Sequence, residues 1–286
     1  MKKIFNVLIS VVIISTIFLS GCGKSNSKNN STKGTADNPK TVEIAILTGM
    51  APYTYADNNG KFQGYDYELL TMIDQMLPQY KFHYNAVEPD AAAAAIQAGT
   101  YALSASAHFV TPARKKNFIL SNPESYYPVN LISRKKDSFT KFEDLNGKTL
   151  VPNPPNDGLY VVLHDLAKKY PNVKFNQEEV SNYIPYADGM RGVLNGRWDV
   201  WFGGDTMFYD IIKKEPMDLF CSKPIYTAPC VMVMNKNYTD LRNQINECLV
   251  KLYKEGKLSD LSKKWLNKDV WDIAKQTGAL DDVYKK

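Results

Sequence analysis

The sequence predicts an α/β protein with two lobes, and three observations indicate this class. The chain has 286 residues, 44% of them hydrophobic and 23% charged, which is enough to fill one large or two ordinary cores. From Val42 to Ser133, short apolar strands alternate with amphipathic helices in the order β-α-β-α-β. A similar alternation starts again at Lys148 and continues to the C-terminal helices.

The first unit contains clear signals for helix ends. Gly99 follows an alanine-rich helix and suits the left-handed conformation in which many helices end. Thr111 and Pro112 form a helix start, because threonine caps the first turn and proline fits the first helical position. The predicted strands are 42–47, 80–87, 101–105 and 129–133, and the predicted helices are 65–77, 90–98 and a turn from 112.

The second unit repeats this pattern with shorter strands. Asn195-Gly196 marks the end of one helix, since both residues favour turns. The predicted strands are 148–151, 173–175, 198–202 and 230–234, and the predicted helices are 157–169, 187–194, 206–213, 241–253 and 258–265. Ligands of doubly wound sheets bind at the carboxyl ends of strands, so the loops of interest are 48–55, 105–114, 152–158 and 202–206.

Residues 1–21 have the pattern of a bacterial export signal, with a positive head, a charge-free apolar run and small residues before Cys22. The segment Leu19-Ser20-Gly21-Cys22 resembles a lipobox, which implies cleavage and acylation of Cys22 with chains such as palmitate. The alternative is an uncleaved membrane anchor, since about 17 apolar residues is the lower limit for spanning. Residues 22–40 are expected to be a flexible tether that holds the protein on the outer face of the cell membrane.

The composition excludes several classes of protein. The 35 basic residues exceed the 30 acidic ones by only five and are scattered, so nucleic acid is not an expected partner. Four cysteines without a CxxC pair, and three separated histidines, predict no metal site and no other cofactor. Cys221 and Cys230 could form a disulfide or remain buried thiols, and both alternatives stay open. Cys248 lies at an apolar helix position and is expected in the core.

Six motifs occur in an order that resembles the extracytoplasmic solute-binding proteins of amino-acid ABC transporters, the polar amino-acid binding family. The similarity covers about 42–272. The motifs are Ala51-Pro52-Tyr53, Asn59-Gly60-Lys61-Phe62-Gln63-Gly64-Tyr65-Asp66, Thr111-Pro112-Ala113-Arg114, Leu145-Asn146-Gly147-Lys148, Leu194-Asn195-Gly196-Arg197-Trp198-Asp199, and Glu255-Gly256-Lys257-Leu258 with Lys264-Trp265.

The resemblance implies a two-lobe periplasmic-binding-protein type II fold with two crossover hinge strands. Lobe 1 would comprise 41–132 and 231–286, and lobe 2 would comprise 133–230. A ligand would bridge the lobes and stabilise a closed form that a membrane permease recognises. The implied protein is a non-enzymatic, monomeric receptor that captures a small zwitterion, an amino acid by expectation, and delivers it to an ABC importer.

Two charged residues are the expected anchors of this zwitterion. Arg114 ends the Thr-x-x-Arg motif, and its guanidinium can bind a carboxylate through two parallel hydrogen bonds. The alternative is a solvated side chain, although the first turn of a helix is unfavourable for a cation. Asp205 follows Gly203-Gly204, and the resemblance implies that it accepts the ligand ammonium. It could instead cap the next helix.

Three residues are candidates for contacts with the rest of the ligand. Tyr53 and Phe109 could cover or stack on its side chain, or else belong to the core. Ser106 could offer a hydroxyl from a strand end.

The loop before the first helix of lobe 2 departs from the family pattern. The family usually has glycine followed by threonine or serine there, whereas this chain has Asn156-Asp157-Gly158. Asn156 could donate a hydrogen bond to a ligand. Asp157 would repel a carboxylate, so it either caps the helix or meets a positive group of the ligand. Phe109 also replaces a usual serine. These departures weaken the expectation of a standard amino-acid pose.

Two other classes of function remain as alternatives. The expected fold resembles that of certain dehydratases, so an enzyme is one alternative. His108 is the candidate general base beside the expected cleft. Its other interpretation is a histidine at the rim of the site. The second class is a surface adhesin or a sensor module. Catalytic signatures such as G-x-S-x-G, H-E-x-x-H and the P-loop are absent from the sequence.

Overall fold

The computed structural model describes residues 34–48, 50–57 and 59–285, and the structural statements below concern these residues. The expected export signal, the acylation of Cys22 and most of the expected tether lie outside the described residues. The strands are β1 (Lys40–Leu47), β2 (Tyr55–Ala56), β3 (Phe62–Gln63), β4 (Tyr80–Val87), β5 (Leu103–Phe109), β6 (Ile119–Arg134), β7 (Thr149–Leu150), β8 (Asn176–Gln177), β9 (Val200–Gly203), β10 (Leu219–Cys221) and β11 (Tyr226–Met234). The α-helices are α1 (Tyr65–Met76), α2 (Pro89–Ala98), α3 (Pro112–Asn117), α4 (Gly158–Ala167), α5 (Tyr186–Leu194), α6 (Asp205–Lys214), α7 (Thr239–Lys254), α8 (Lys257–Leu266) and α9 (Val270–Gln276).

One large sheet organises the described chain, in the order β4-β1-β5-β11-β6-β9-β7-β8, with β10 paired to β6. In the first half of this sheet, β1 lies between β4 and β5 and runs parallel to both. In the second half, β7 lies between β8 and β9 and runs parallel to both. The predicted α/β class is therefore confirmed.

The strands β6 and β11 join the two halves of the sheet. The register of β6 against β11 runs from Ile119 to Val129, and Asn130 to Ser133 then pair with β9. The sequence predicted only the end of β6, because Pro123 and Pro128 cannot donate to a strand ladder and polar residues interrupt the alternation. The structure accommodates these residues with register shifts along the β6–β11 pair.

The helices divide between the two halves of the sheet. Helix α2 packs on β1, while α7 and α9 pack on β6 and contact α8, which in turn contacts α1. Helices α5 and α6 pack on the second half, beside β9 and β6 respectively. Helix α4 contacts both β5 and β9, so its N-terminus is placed where the two halves meet.

Several local predictions are confirmed and others are corrected. Gly99 adopts the left-handed conformation at φ 84°, and the Thr111 hydroxyl accepts a hydrogen bond from the backbone of Arg114. The strand expected at 173–175 is instead β8, which begins one residue later at Asn176. Helix α9 was not predicted. No helix in the described ranges combines the length and the apolar character needed to cross a membrane.

The cysteines of the described chain are free thiols. Cys230 and Cys248 are buried, as expected for Cys248, and Cys221 is half-buried. Of the two alternatives for Cys221 and Cys230, the structure therefore shows free thiols and not a disulfide.

Candidate functional site

Loops that follow neighbouring parallel strands bring the candidate residues to two edges of the sheet. Because β1 and β5 are parallel neighbours, Tyr53 on the loop after β1 and Arg114 in α3 after β5 lie at the same edge. Because β7 and β9 are parallel neighbours, Asp157 and Asp205 lie beyond the carboxyl ends of adjacent strands. The first pair belongs to the first half of the sheet and the second pair to the second half.

Three aromatic rings form a wall between these loops. Tyr53 stacks on Tyr127 of β6, with 6.4 Å between ring centroids, and Tyr127 meets Phe109 edge-on at 5.2 Å. A Cβ at Gly158 would lie 2.2 Å from Cδ2 of Phe109, and a Cβ at Gly204 would lie 2.3 Å from the Tyr127 hydroxyl oxygen. The rings therefore touch bare backbone of the second half, which requires glycine at both positions.

Arg114 borders this aromatic wall beside Phe109. Its Nη1 donates to the Phe109 carbonyl oxygen at 2.8 Å, and within the described ranges no carboxylate forms an ion pair with it. Burial lowers the pKa of Arg114, and the nearby Asp157 carboxylate opposes that shift. Guanidinium groups stay charged in proteins, so most of its donors remain for an anionic partner.

Asp157 is the N-cap of α4. Its Oδ1 accepts from the backbone N–H of Leu159 at 2.9 Å and of Tyr160 at 3.3 Å, while Oδ2 accepts from the hydroxyl of Tyr183. The structure thus shows the capping role, and a contact between Asp157 and a positive group of the ligand stays a prediction. The capping carboxylate occupies donors at the helix N-terminus that an anionic ligand would otherwise use.

Asp205 is the first residue of α6 and forms an ion pair with Lys268, between α8 and α9. Its backbone N–H donates to Asn130 Oδ1 at 3.3 Å. The Lys268 and Asp205 side chains are only 17% and 16% exposed, so this pair is screened far less than a surface pair. Sequence reasoning missed Lys268, because its partner lies 63 residues away and no motif contains it.

Ser106 and Tyr53 are fixed by internal hydrogen bonds. The buried Ser106 hydroxyl lies 2.9 Å from that of Thr54, which also donates to the Leu47 carbonyl. The Tyr53 carbonyl accepts from the backbone of Asp66 at 3.0 Å, so the loop after β1 is tied to the start of α1. Ser106 thus joins β5 to the loop after β1, and Tyr53 presents a buried ring.

The loop 152–157 contains one exposed and one buried asparagine. Asn156 is exposed, and its side chain makes no hydrogen bond to the part of the chain that the structure describes. Asn153 is buried, and its Nδ2 has no hydrogen-bond partner among the described residues. Sequence reasoning did not single out Asn153. A buried amide without a partner is costly, so Asn153 is a stronger candidate donor than Asn156.

Two further tyrosines were missed by sequence reasoning. Tyr186 packs on Trp201 with 5.0 Å between ring centroids, and burial followed by the Asp157 charge raises its pKa to about 12. Tyr183 is 58% exposed and donates to Asp157. The sequence shows that tyrosine is abundant, with 18 residues, but nothing in it singles out these two positions.

His108 is not poised as a base. Burial, followed by the charge of Arg114, lowers the pKa of its imidazole to about 3. Its Nε2 lies 3.2 Å from the Ser104 hydroxyl within the same strand. No cluster of three or more histidine, cysteine or acidic side chains suited to a metal occurs in the described ranges.

Asp66 and Glu124 form a pair of buried carboxyl groups, and Asp66 bonds to the backbone next to the site. Asp66 Oδ2 accepts from the backbone N–H of Ala107 at 3.1 Å, and Ala107 has a left-handed φ of 49° just before His108-Phe109. Burial raises the pKa of Asp66 to about 8. Burial, with the Asp66 charge as a second cause, also raises the pKa of Glu124. Asp66 Oδ1 and both Glu124 oxygens have no partner in the described chain.

A cavity of about 260 Å³ lies beside the aromatic wall and shares Phe109 with it. Most of its other lining comes from α4 and β11, including Val162, Leu166 and Tyr226. Neither Arg114 nor Asp205 lines this cavity.

An aromatic site between two halves of one sheet, with a cation from one half and an anion from the other, is typical of two-lobe ligand-binding proteins. Residues 42–268 match the family model described as bacterial extracellular solute-binding proteins, family 3. The match covers most of the chain, and the chain belongs to this family.

Curated relatives agree with this assignment. The chain is 24% identical over 274 residues to the probable amino-acid-binding protein YxeM of Bacillus subtilis, covering 94% of this chain and 97% of the relative. It is also 24% identical over 260 residues to the L-cystine-binding protein TcyK of Bacillus subtilis, covering 88% and 92%.

Solved structures agree on the fold. The probable amino-acid ABC transporter extracellular-binding protein YtmK of Bacillus subtilis superposes with a TM-score of 0.69 at 21% identity, covering 81% of this chain and all of that one. A structure from a study of glutathione import through GshT and the cystine importer TcyBC of Streptococcus mutans gives 0.66 at 24% identity, covering 81% and 97%.

These findings confirm the predicted two-lobe periplasmic-binding-protein type II fold and the solute-binding role. The relatives are binding proteins of ABC importers and act outside the cytoplasm, so the enzyme and adhesin alternatives are not supported.

Proposed function

We propose that this chain is the lipid-anchored receptor of an ABC importer and that it binds a small zwitterion, an amino acid, between its lobes. The observation that carries the proposal is a chain of contacts from one lobe to the other: Arg114 donates to the Phe109 carbonyl, the Phe109 ring packs on Tyr127, and Tyr127 lies against Gly204, the residue before Asp205. A carboxylate suits Arg114, an ammonium suits Asp205, and the apolar part of the molecule suits the rings between them.

The lobes in this proposal keep the boundaries expected from the sequence, with 41–132 and 231–286 in lobe 1 and 133–230 in lobe 2. The joining role of β6 and β11 supports these boundaries, because both run through the sheet from one half to the other. Hinge bending there would open the site without unfolding either core.

The relatives favour an amino acid as the ligand class. TcyK and TcyJ of Bacillus subtilis are named for L-cystine and GlnH for glutamine, and one similar structure contains bound histidine. The departures at Phe109 and Asp157 affect the pose rather than this class. Asn153 offers an additional donor near the α4 N-terminus.

A thermal-shift screen against the twenty amino acids, cystine and simple dipeptides tests the ligand class. A ligand at 100 times its dissociation constant should stabilise the folded protein by about 2.7 kcal/mol. For a chain of this size that corresponds to a rise in melting temperature of about 5 °C. The proposal fails if no compound with both an α-carboxylate and an α-ammonium gives a shift.

The lipid anchor is tested separately at Cys22. Full-length protein expressed in a bacterial host with an alkyne-labelled fatty acid should become labelled and sediment with membranes. Cys22→Ser should abolish the labelling, since the acylated thiol would be missing. Equal labelling of the wild type and the variant would contradict the anchor and leave the ligand proposal untouched.

A further inference from the structure

A buried ion pair between the lobes involves the residue expected to bind the ligand ammonium. Lys268 Nζ donates to Asp205 Oδ1, and both side chains are more than four-fifths buried. Lys268 follows α8 and belongs to lobe 1, whereas Asp205 begins α6 in lobe 2. An ammonium group therefore already occupies the carboxylate.

The backbone around Lys268 is fixed on both sides. Asn267 ends α8 with a left-handed φ of 56°. Asp269 caps α9 by accepting from the backbone of Trp271 at 3.2 Å and of Asp272 at 3.0 Å. Trp271 is buried in the core of lobe 1. Lys268 is thus presented to lobe 2 from a rigid corner, not from a flexible loop.

Asp205 is also held in a fixed position, on the lobe 2 side of the ion pair. Asn130 of β6 accepts from the Asp205 backbone and donates to the Ser222 carbonyl at 2.7 Å. The N-terminal position on a ten-residue helix stabilises its negative charge. The carboxylate is therefore preorganised for one cation, and a second ammonium beside it would be repelled by the first.

We propose that Lys268 is an internal competitor for the ligand ammonium and a latch that holds the ligand-free lobes together. This inference rests on the proposed function, because it assigns the Asp205 carboxylate to the ligand ammonium. A ligand must displace Lys268 before its own ammonium reaches Asp205. The site therefore selects ligands whose contacts with Arg114 and the aromatic wall compensate for the lost ion pair. It discriminates against glycine-sized amino acids, because their side chains are too small to contact the wall.

The test compares Lys268→Met with two matched variants. Lys264→Met removes an ammonium that pairs with Glu68 inside lobe 1, so it controls for charge and for the loss of an ion pair. Lys268→Arg keeps a cation at the interlobe position. Binding of L-cystine, L-glutamine, L-histidine and L-arginine is measured by titration calorimetry, and lobe separation without ligand by small-angle X-ray scattering.

We expect Lys268→Met to bind the recognised amino acid about tenfold more tightly, since a charged hydrogen bond of typical strength no longer has to be broken. Lys264→Met and Lys268→Arg should stay within about threefold of the wild type, a spread ordinary for surface and conservative changes. Ligand-free Lys268→Met should show a larger radius of gyration than the other three proteins.

Unchanged or weaker binding by Lys268→Met overturns the competition, because it would make Lys268 neutral or a helper of binding. An unchanged radius of gyration overturns the latch. If none of the four amino acids binds any of the proteins, Lys268 does not compete with them and the competition is overturned, whereas the ligand class itself is decided by the thermal-shift screen. The scattering comparison still decides whether Lys268 closes the lobes.

Discussion

The replacement Asp66→Asn should remove a specific pH dependence of stability. The Asp66 carboxyl is fully buried, one of its oxygens has no partner in the described chain, and burial raises its pKa to about 8. In the unfolded chain an aspartate ionises near pH 4. Between about pH 4 and pH 8, folded protein therefore keeps a proton that unfolded protein has lost.

The sign and size of the effect follow from proton linkage. Because the folded pKa is the higher one, the stabilisation is fully present below about pH 4 and is lost as the pH rises to about 8. One proton that only the folded state binds changes the free energy of unfolding by about 1.4 kcal/mol per pH unit. From pH 5 to pH 7 the wild type should thus lose about 3 kcal/mol relative to Asp66→Asn, whose side chain does not titrate.

The assay is urea unfolding followed by fluorescence of the four tryptophans at one-unit steps from pH 5 to pH 9. The difference in unfolding free energy between Asp66→Asn and the wild type should rise up to about pH 8 and then level off. Asp165→Asn is the control, because its exposed carboxylate pairs with Lys168 at the surface. Parallel curves for Asp66→Asn and the wild type would show that the buried carboxyl does not retain its proton.

Two further predictions concern the aromatic wall and its charged neighbour. Arg114→Ala should abolish amino-acid binding while leaving the melting temperature within a few degrees, because its side chain makes one hydrogen bond in the described structure; retained micromolar affinity by calorimetry would refute the role. Gly158→Ala should destabilise the closed form by roughly 1–3 kcal/mol, since the new Cβ would overlap Phe109, and the same substitution should cost much less in a Phe109→Ala background, where the ring is absent. An equal cost in the two backgrounds would assign it to the α4 backbone instead.

Much of the fold could be predicted from local patterns. Helix α1 and strand β4 have near-ideal periodicity, and Gly99 and Thr111 mark helix ends by backbone chemistry that does not depend on the rest of the molecule. Strand β6 was underpredicted because Pro123 interrupts its pattern. The strand is held by its pairing with β11, about one hundred residues later, so the tertiary pairing overrides the local signal.

The charged members of the candidate site could be proposed from motif resemblance, but their partners could not. Arg114 and Asp205 stand in recognisable segments. Lys268, Tyr127 and Asn153 do not, and their placement depends on how the sheet brings distant loops together. For Asp157 the structure adds the helix cap and Tyr183 as a second partner, and the predicted ligand contact stays a prediction.

The most direct measurement of the central claim matches each end of the ligand to one residue. An amino acid identified in the thermal-shift screen, its deaminated analogue and its α-amide are titrated into the wild type, Arg114→Ala and Asp205→Asn. We expect Asp205→Asn to weaken the amino acid and the α-amide far more than the deaminated analogue, and Arg114→Ala to weaken the two carboxylates far more than the α-amide. Equal losses for all three compounds, or wild-type affinity in both variants, would contradict a zwitterion held between these two charges.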